Sequence, residues 1–123
     1  MIGEIQDVYY NVKNMDQSVS FYENVLGFKK VYGSEHWTSL QKGHFNLGLH
    51  ATDNGKPVPN IPRDSHGAHA GATITLKSSD IAEDKKVLES NNCKILGESN
   101  QPWGHMLVFE DLDGNVLKLM NPK

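Results

Sequence analysis

Apolar and polar residues alternate along "IQDVYYNVK" (5–13), with Ile5, Val8, Tyr10 and Val12 mainly on one side and Asp7, Tyr9 and Asn11 on the other. That period of two predicts a half-buried strand. In "NMDQSVSFYENVLGF" the period changes: Val19, Tyr22 and Leu26 recur at i, i+3 and i+7, predicting a helix with Asp16 as N-cap and Gly27 just past its end. The following "FKKVYGSEHWTSLQKGHFNLGLHAT" returns to short alternating runs broken at Gly33-Ser34 and Lys42-Gly43, predicting a three-stranded meander. Residues 52–70, rich in Pro, Gly, Asn and Asp, have neither period and read as a linker or long mobile loop. The order then repeats. "GATITLK" predicts a strand, "SDIAEDKKVLESNN" a helix opened by Asp80 and Glu83 as a capping box, and "CKILGES", "PWGHMLVFED" and "GNVLKLMN" three strands.

Two βαβββ units in tandem suggest an internal duplication. Sliding the sequence by 66 residues places Asp7 on Thr73, Asn14 on Asp80, Phe21-Tyr22-Glu23 on Val87-Leu88-Glu89 and Trp37 on Trp103. Beyond Leu40 the register moves by about four, which puts Leu47-Gly48-Leu49 on Leu117-Lys118-Leu119. The expected organisation is one domain over 1–123, with a first module at about 1–51, a linker at about 52–69 and a second module at about 70–123.

Length and charge narrow the possibilities. The 123 residues suit a single core without staples. No apolar run approaches the roughly 18 residues needed to span a bilayer, and "MIGEIQDVYYNVKN" has no basic-then-apolar leader. A soluble, cytoplasmic chain with no membrane partner is expected. Cys93, the single cysteine, excludes an internal disulfide and a multi-cysteine zinc site; packing is its expected role. A formal charge of −3 with Lys and Glu intermixed leaves no basic stripe for nucleic acid.

The helix "SVSFYENVLGF" (SxxFYxxxLGF), the closing "PWG…FEDLDGN" (with DxDGN) and the duplicated βαβββ order together resemble the vicinal oxygen chelate superfamily. That group contains glyoxalase I, extradiol dioxygenases, fosfomycin-modifying enzymes and bleomycin-binding resistance proteins. The resemblance covers almost the whole chain, and its motifs mark the scaffold, not an activity. It implies an α+β fold in which the two modules form a curved mixed sheet around a ligand cup, helices outside, commonly as a homodimer. "DLDGN" itself reads as a tight turn, with Asp side chains on nearby N–H groups and Gly114 at positive φ. An EF-hand is excluded because Pro122 stands where the bidentate Glu is required.

Metal-using members of the superfamily take ligands, usually His and Glu, from the first and last strand of each module. Carried across by position, these sites fall at Asp7, Gly48, Thr73 and Lys118. Only Asp7 is a ligand for a divalent cation, and an ammonium about 4 Å from such an ion is repelled by several kcal/mol even at an effective dielectric near 20. No resident metal and no other cofactor are therefore expected. A relocated site on Asp7, His50 and His69 is the alternative, although three or four convergent ligands with supporting hydrogen bonds would be needed. His66 and His69 otherwise read as solvated loop residues, and His36, His44 and His105 as exposed residues beside turns.

Trp37 and Trp103 fall at equivalent points of the alignment and are candidates for core packing or for ligand stacking. The expected ligand surface comprises Asp7, Tyr9, Trp37, His50, Thr73, Thr75, Trp103 and Lys118, Lys118 being set opposite the core by its neighbours Leu117 and Leu119. The leading functional expectation is metal-independent binding of a small organic molecule in an aromatic-lined groove, of the bleomycin-resistance-like type. The alternatives are a metal-dependent lyase, isomerase or dioxygenase with a rearranged metal site, and a metal-free enzyme using Asp7 or His50 as general base.

Overall fold

The computed structural model describes residues 1–65 and 67–123; His66, expected as a solvated loop histidine, lies outside them. The chain divides into two compact units, Met1–Val58 and Pro59–Lys123. Each is a βαβββ module carrying one four-stranded mixed sheet, so the α+β class and the tandem order are as predicted.

In the first unit β1 (Val8–Val12), α1 (Met15–Asn24), β2 (Lys29–Gly33), β3 (Trp37–Lys42) and β4 (Phe45–Ala51) form a sheet of order β1-β4-β3-β2. β1 runs parallel to β4, and the other pairs are antiparallel. Strand alternation sends Val12, Leu40, Leu47 and Leu49 to one face, where they are buried with Val19, Phe21, Tyr22, Leu26 and Phe28 of α1 and the turn after it. Tyr22 has no exposed surface and meets Phe21 and Phe28 edge-on, with ring centroids 5.6 and 5.7 Å away.

Two local expectations are corrected. Ile5 is 88% exposed, because the ladder with β4 begins only at Val8↔Leu47; alternation does not show where a partner strand starts. The cap of α1 is Asn14, whose side chain accepts from the Gln17 amide at 3.0 Å. Asp16 sits instead in the first turn, where its charge complements the positive end of the helix dipole.

The second unit contains β5 (Ile74–Lys77), α2 (Ile81–Ser90), β6 (Ile95–Gln101), β7 (Gly104–Glu110) and β8 (Val116–Pro122), in the order β5-β8-β7-β6. Its core holds Ile81, Leu88, Cys93, Leu107, Phe109, Val116, Leu117 and Leu119. Asp80 caps α2 as expected, accepting from the Glu83 amide at 3.1 Å, but the other half of the expected capping box is replaced: the Asp80 amide donates to Ser78 Oγ where the Glu83 carboxylate was expected. The larger part of the expected linker, from residue 59 on, belongs to this unit. Arg63 forms an ion pair with Glu110 and a bridge with His69, and Gly67 is buried so closely that a Cβ there would stand 3.0 Å from Val108 Cγ1.

The duplication holds with one correction. The first strands and the helices are offset by 66, whereas Leu47 and Leu117, which pair with Val8 and Ile74, are offset by 70. Trp37 pairs with His50 and Met106 with Met120, so the counterpart of Trp37 is Met106. Trp103, predicted inside the strand "PWGHMLVFED", lies instead in the turn between β6 and β7 and is 56% exposed, because β7 begins only at Gly104. β6 has seven residues where β2 has five, and that added length separates the two tryptophans.

The "DLDGN" turn closes β7 onto β8. Asp111 is 6% exposed and its carboxylate accepts from the Asp113 amide (2.8 Å), the Asn115 amide (2.9 Å) and Asn115 Nδ2 (2.9 Å). Gly114 supplies φ = 84°. Removing the acceptor strands three donors, so Asp111→Ala is expected to cost about 2–4 kcal/mol of unfolding free energy, and Asp111→Asn less; urea denaturation checks both.

Candidate functional site

In the first unit, the sheet face away from α1 carries the residues that alternation leaves outside the core. Tyr9 and Asn11 come from β1, Gly48 and His50 from β4, and Trp37, Ser39 and Gln41 from β3. Three of the expected residues meet there as a ring cluster: Tyr9 lies edge-on to Trp37 with centroids 5.4 Å apart, and His50 stands 5.9 Å from Tyr9 and 6.3 Å from Trp37. Trp37 Nε1 donates to Ser39 Oγ at 2.9 Å, which fixes the ring. His50 Nδ1 is 3.4 Å from Asn11 Oδ1.

The packing of the indole depends on Gly48. A Cβ at that position would lie 2.2 Å from Trp37 Cη2 and 2.3 Å from Cζ2, distances no real Cβ adopts. The benzo edge of Trp37 therefore takes the volume in which a side chain at position 48 would stand. Beside it lies a groove of about 340 Å³ lined by Gln6, Asp7, Val31, Trp37, Ser39, Asn46, Leu47 and Gly48. Sequence reasoning found Asp7 and Trp37. It missed Ser39 and Asn46, which the alternation of β3 and β4 could have indicated, and Val31, which a register shift between Lys30 and Tyr32 brings in.

The second unit presents Thr75 and Lys118 as a cross-strand pair. Lys118 is half-buried between buried Leu117 and Leu119, as the alternation implied, and lines a groove of about 410 Å³ with Gly97, Glu98, Ser99, Met106 and Val108. Thr73 precedes β5, and its hydroxyl is 3.1 Å from His69 Nε2. His69 Nδ1 lies 2.7 Å from the Ala70 carbonyl, which can only accept. In the neutral ring Nδ1 therefore carries the proton, and Nε2 accepts from Thr73. Trp103 does not line this groove.

The remaining candidates separate clearly. His36 and His44 are exposed as expected. His105 is not: only 20% of its side chain is exposed, and Nε2 lies 2.7 Å from Glu98 Oε2. Lys85 Nζ holds the other Glu98 oxygen at 2.9 Å. These hydrogen bonds, that of Lys85 first and that of His105 second, keep the Glu98 carboxyl below its ordinary value. Burial, with a smaller contribution from Asp111, pushes the Cys93 thiol up to about 11, which suits packing and disfavours the thiolate needed of a nucleophile.

Over residues 3–119 the chain matches the Glyoxalase/Bleomycin resistance protein/Dioxygenase superfamily. It belongs to that superfamily. Within it, the chain is 27% identical over 122 residues to a metallothiol transferase FosB of Staphylococcus haemolyticus, a match covering 97% of this chain and 84% of that protein. Among solved structures, FosX of Listeria monocytogenes, a fosfomycin resistance protein complexed with Mn(II) and sulfate, shares the fold. Its TM-score is 0.73 at 14% identity, covering 100% of this chain and 93% of FosX. Lactoylglutathione lyase of Agrobacterium tumefaciens does so with a TM-score of 0.66 at 19% identity, covering 98% and 96% of the two chains.

The residues present do not fit the superfamily's metal. At the four carried-over positions, Asp7 offers a carboxylate, position 48 is filled by the Trp37 ring, the Thr73 hydroxyl is engaged with His69, and Lys118 brings a cation. Among the described residues no group of three or more His, Cys, Asp or Glu side chains is placed to hold a metal ion. Also among the described residues, no helix is long and apolar enough to cross a membrane.

Two tests follow from this geometry. Gly48→Ala must displace the indole, so in a Trp103→Phe background it is expected to red-shift Trp37 emission and cost about 1–3 kcal/mol, the scale of an overpacked site; an unchanged spectrum would contradict the contact. Because the folded pKa of Glu98 is lowered, its contribution to stability is present above the unfolded value and lost as pH falls from there through the lowered folded value. Glu98→Gln is expected to flatten that acid-side loss, read from melting temperatures between pH 3 and pH 7.

Proposed function

We propose that this chain binds a small organic molecule on the open face of its first module and does so without a resident metal. The observation that carries the reading is the Trp37 indole over Gly48: where the superfamily's last strand can offer a metal ligand, this chain has an aromatic surface. Tyr9 and His50 widen that surface, and Asp7, Ser39 and Asn46 place polar groups around the adjoining groove. A largely apolar cleft with few oriented polar groups is the usual form of a small-molecule site. Thr73, Thr75 and Lys118 belong to the same proposal only as polar groups that the second module offers; Trp103, expected as a stacking surface, is an exposed turn residue outside both grooves and is not part of it.

The names of the relatives favour a second reading, an enzyme with a rearranged metal site, since FosB is a metallothiol transferase and FosX was solved with Mn(II). The donor set argues against it: Asp7 is the one carboxylate among the four positions, and in the neutral ring both nitrogens of His69 are engaged within its own module. Homodimer formation is part of the proposal. Each sheet has two edge strands, β1 and β2 in the first and β5 and β6 in the second, and open edges favour pairing with another chain. Light scattering at several concentrations is expected to give twice the 13.7 kDa chain mass.

A thermal-shift screen of small aromatic compounds tests the binding reading, because a ligand that prefers the native state raises the melting temperature. For a compound so found, Trp37→Leu is expected to weaken binding by about 1–3 kcal/mol, the scale of a lost aromatic contact. Unchanged affinity in the folded variant would remove this face from the site. Trp103→Ala is expected to leave affinity within about twofold and stability within about 1 kcal/mol, as befits an exposed turn residue.

A further inference from the structure

We infer that the ligand of the first module's groove is an organic cation, a protonated amine or a quaternary ammonium; this rests on the binding reading above and names its substrate class. The groove is electrostatically one-sided. Of its eight lining residues Asp7 alone is charged, and the rest are Trp37, the neutral polar residues Gln6, Ser39 and Asn46, and Val31, Leu47 and Gly48. No salt bridge among the described residues includes Asp7, so its carboxylate is not already neutralised by an Arg or Lys.

The aromatic wall adds to the same preference. The Trp37 N–H is spent on Ser39, so the ring has no free donor with which to meet an anion or a carbonyl and presents only carbon and its π surface. The face of an aromatic ring is negative, and indole is the strongest of the side-chain π partners for ammonium groups. An anion would meet a carboxylate and a π face together, whereas a neutral apolar molecule would leave the carboxylate desolvated without compensation. A cation satisfies both. The volume of about 340 Å³ lies at the small end of roughly 300–1,000 Å³ for ligand pockets, which favours a compact headgroup.

The test uses the isosteric pair choline and 3,3-dimethylbutan-1-ol, which differ in charge and hardly in shape, titrated into ¹⁵N-labelled full-length protein and followed at the Trp37 indole N–H. Choline is expected to bind at least fivefold more tightly than the alcohol at low ionic strength. Asp7→Asn is expected to bring that ratio towards one by weakening choline alone, with the melting temperature unchanged, since Asp7 precedes β1 and is in no salt bridge among the described residues. Equal affinities for the pair, or a preference that survives Asp7→Asn, would overturn the inference. Choline inert while phenol or benzoate shifts the Trp37 signal would overturn the cation and leave the binding face standing; no shift with any of these probes would overturn both.

Discussion

Steric exclusion at Gly48 governs the chemistry of the first module's open face. β4 lies between β1 and β3, so a side chain at position 48 would stand among Tyr9, Ser39 and the rings on either side. With glycine there, Trp37 leans from its own row beside His50 across the strand, and Tyr9 closes against its edge. Any larger residue would force the indole away and separate the rings. One missing side chain thus makes the aromatic surface possible and at the same time removes a metal ligand.

The two modules repeat on their buried faces and diverge on their open ones. Leu47 and Leu49 correspond to Leu117 and Leu119, all buried under a helix. On the other face Gly48 corresponds to Lys118, His50 to Met120 and Trp37 to Met106. Close packing restricts a core to apolar residues of suitable volume, while a solvent-facing surface carries no such restriction. The second module also covers part of its open face with its own chain, where Gly67 packs on Val108 and Leu96 and Arg63 pairs with Glu110.

Much of this was legible in the sequence because periodicity reports which face a residue takes. Both helices, the three-strand meanders and the placement of Tyr9, His50 and Lys118 opposite the core followed from periods of 3.6 and 2. Features that depend on a partner did not. The start of β1 is set by where β4 begins to pair, and the choice of Asn14 over Asp16 by which side chain reaches a free amide. The apparent match of Trp37 with Trp103 failed because β6 is longer than β2. The groove beside Trp37 needed the register shift that admits Val31, and the contacts of Glu98 with Lys85 and His105 join residues from three elements with no local signal.

The absence of a fitting donor set at Asp7, Gly48, Thr73 and Lys118 is the point on which the functional reading turns. Equilibrium dialysis of the purified protein against Mn(II) and Zn(II), with bound metal quantified per chain, tests it most directly. Far less than one equivalent at micromolar free metal is expected, with no rise in melting temperature. One tightly held equivalent per chain that raises the melting temperature would contradict it and favour a rearranged metal site.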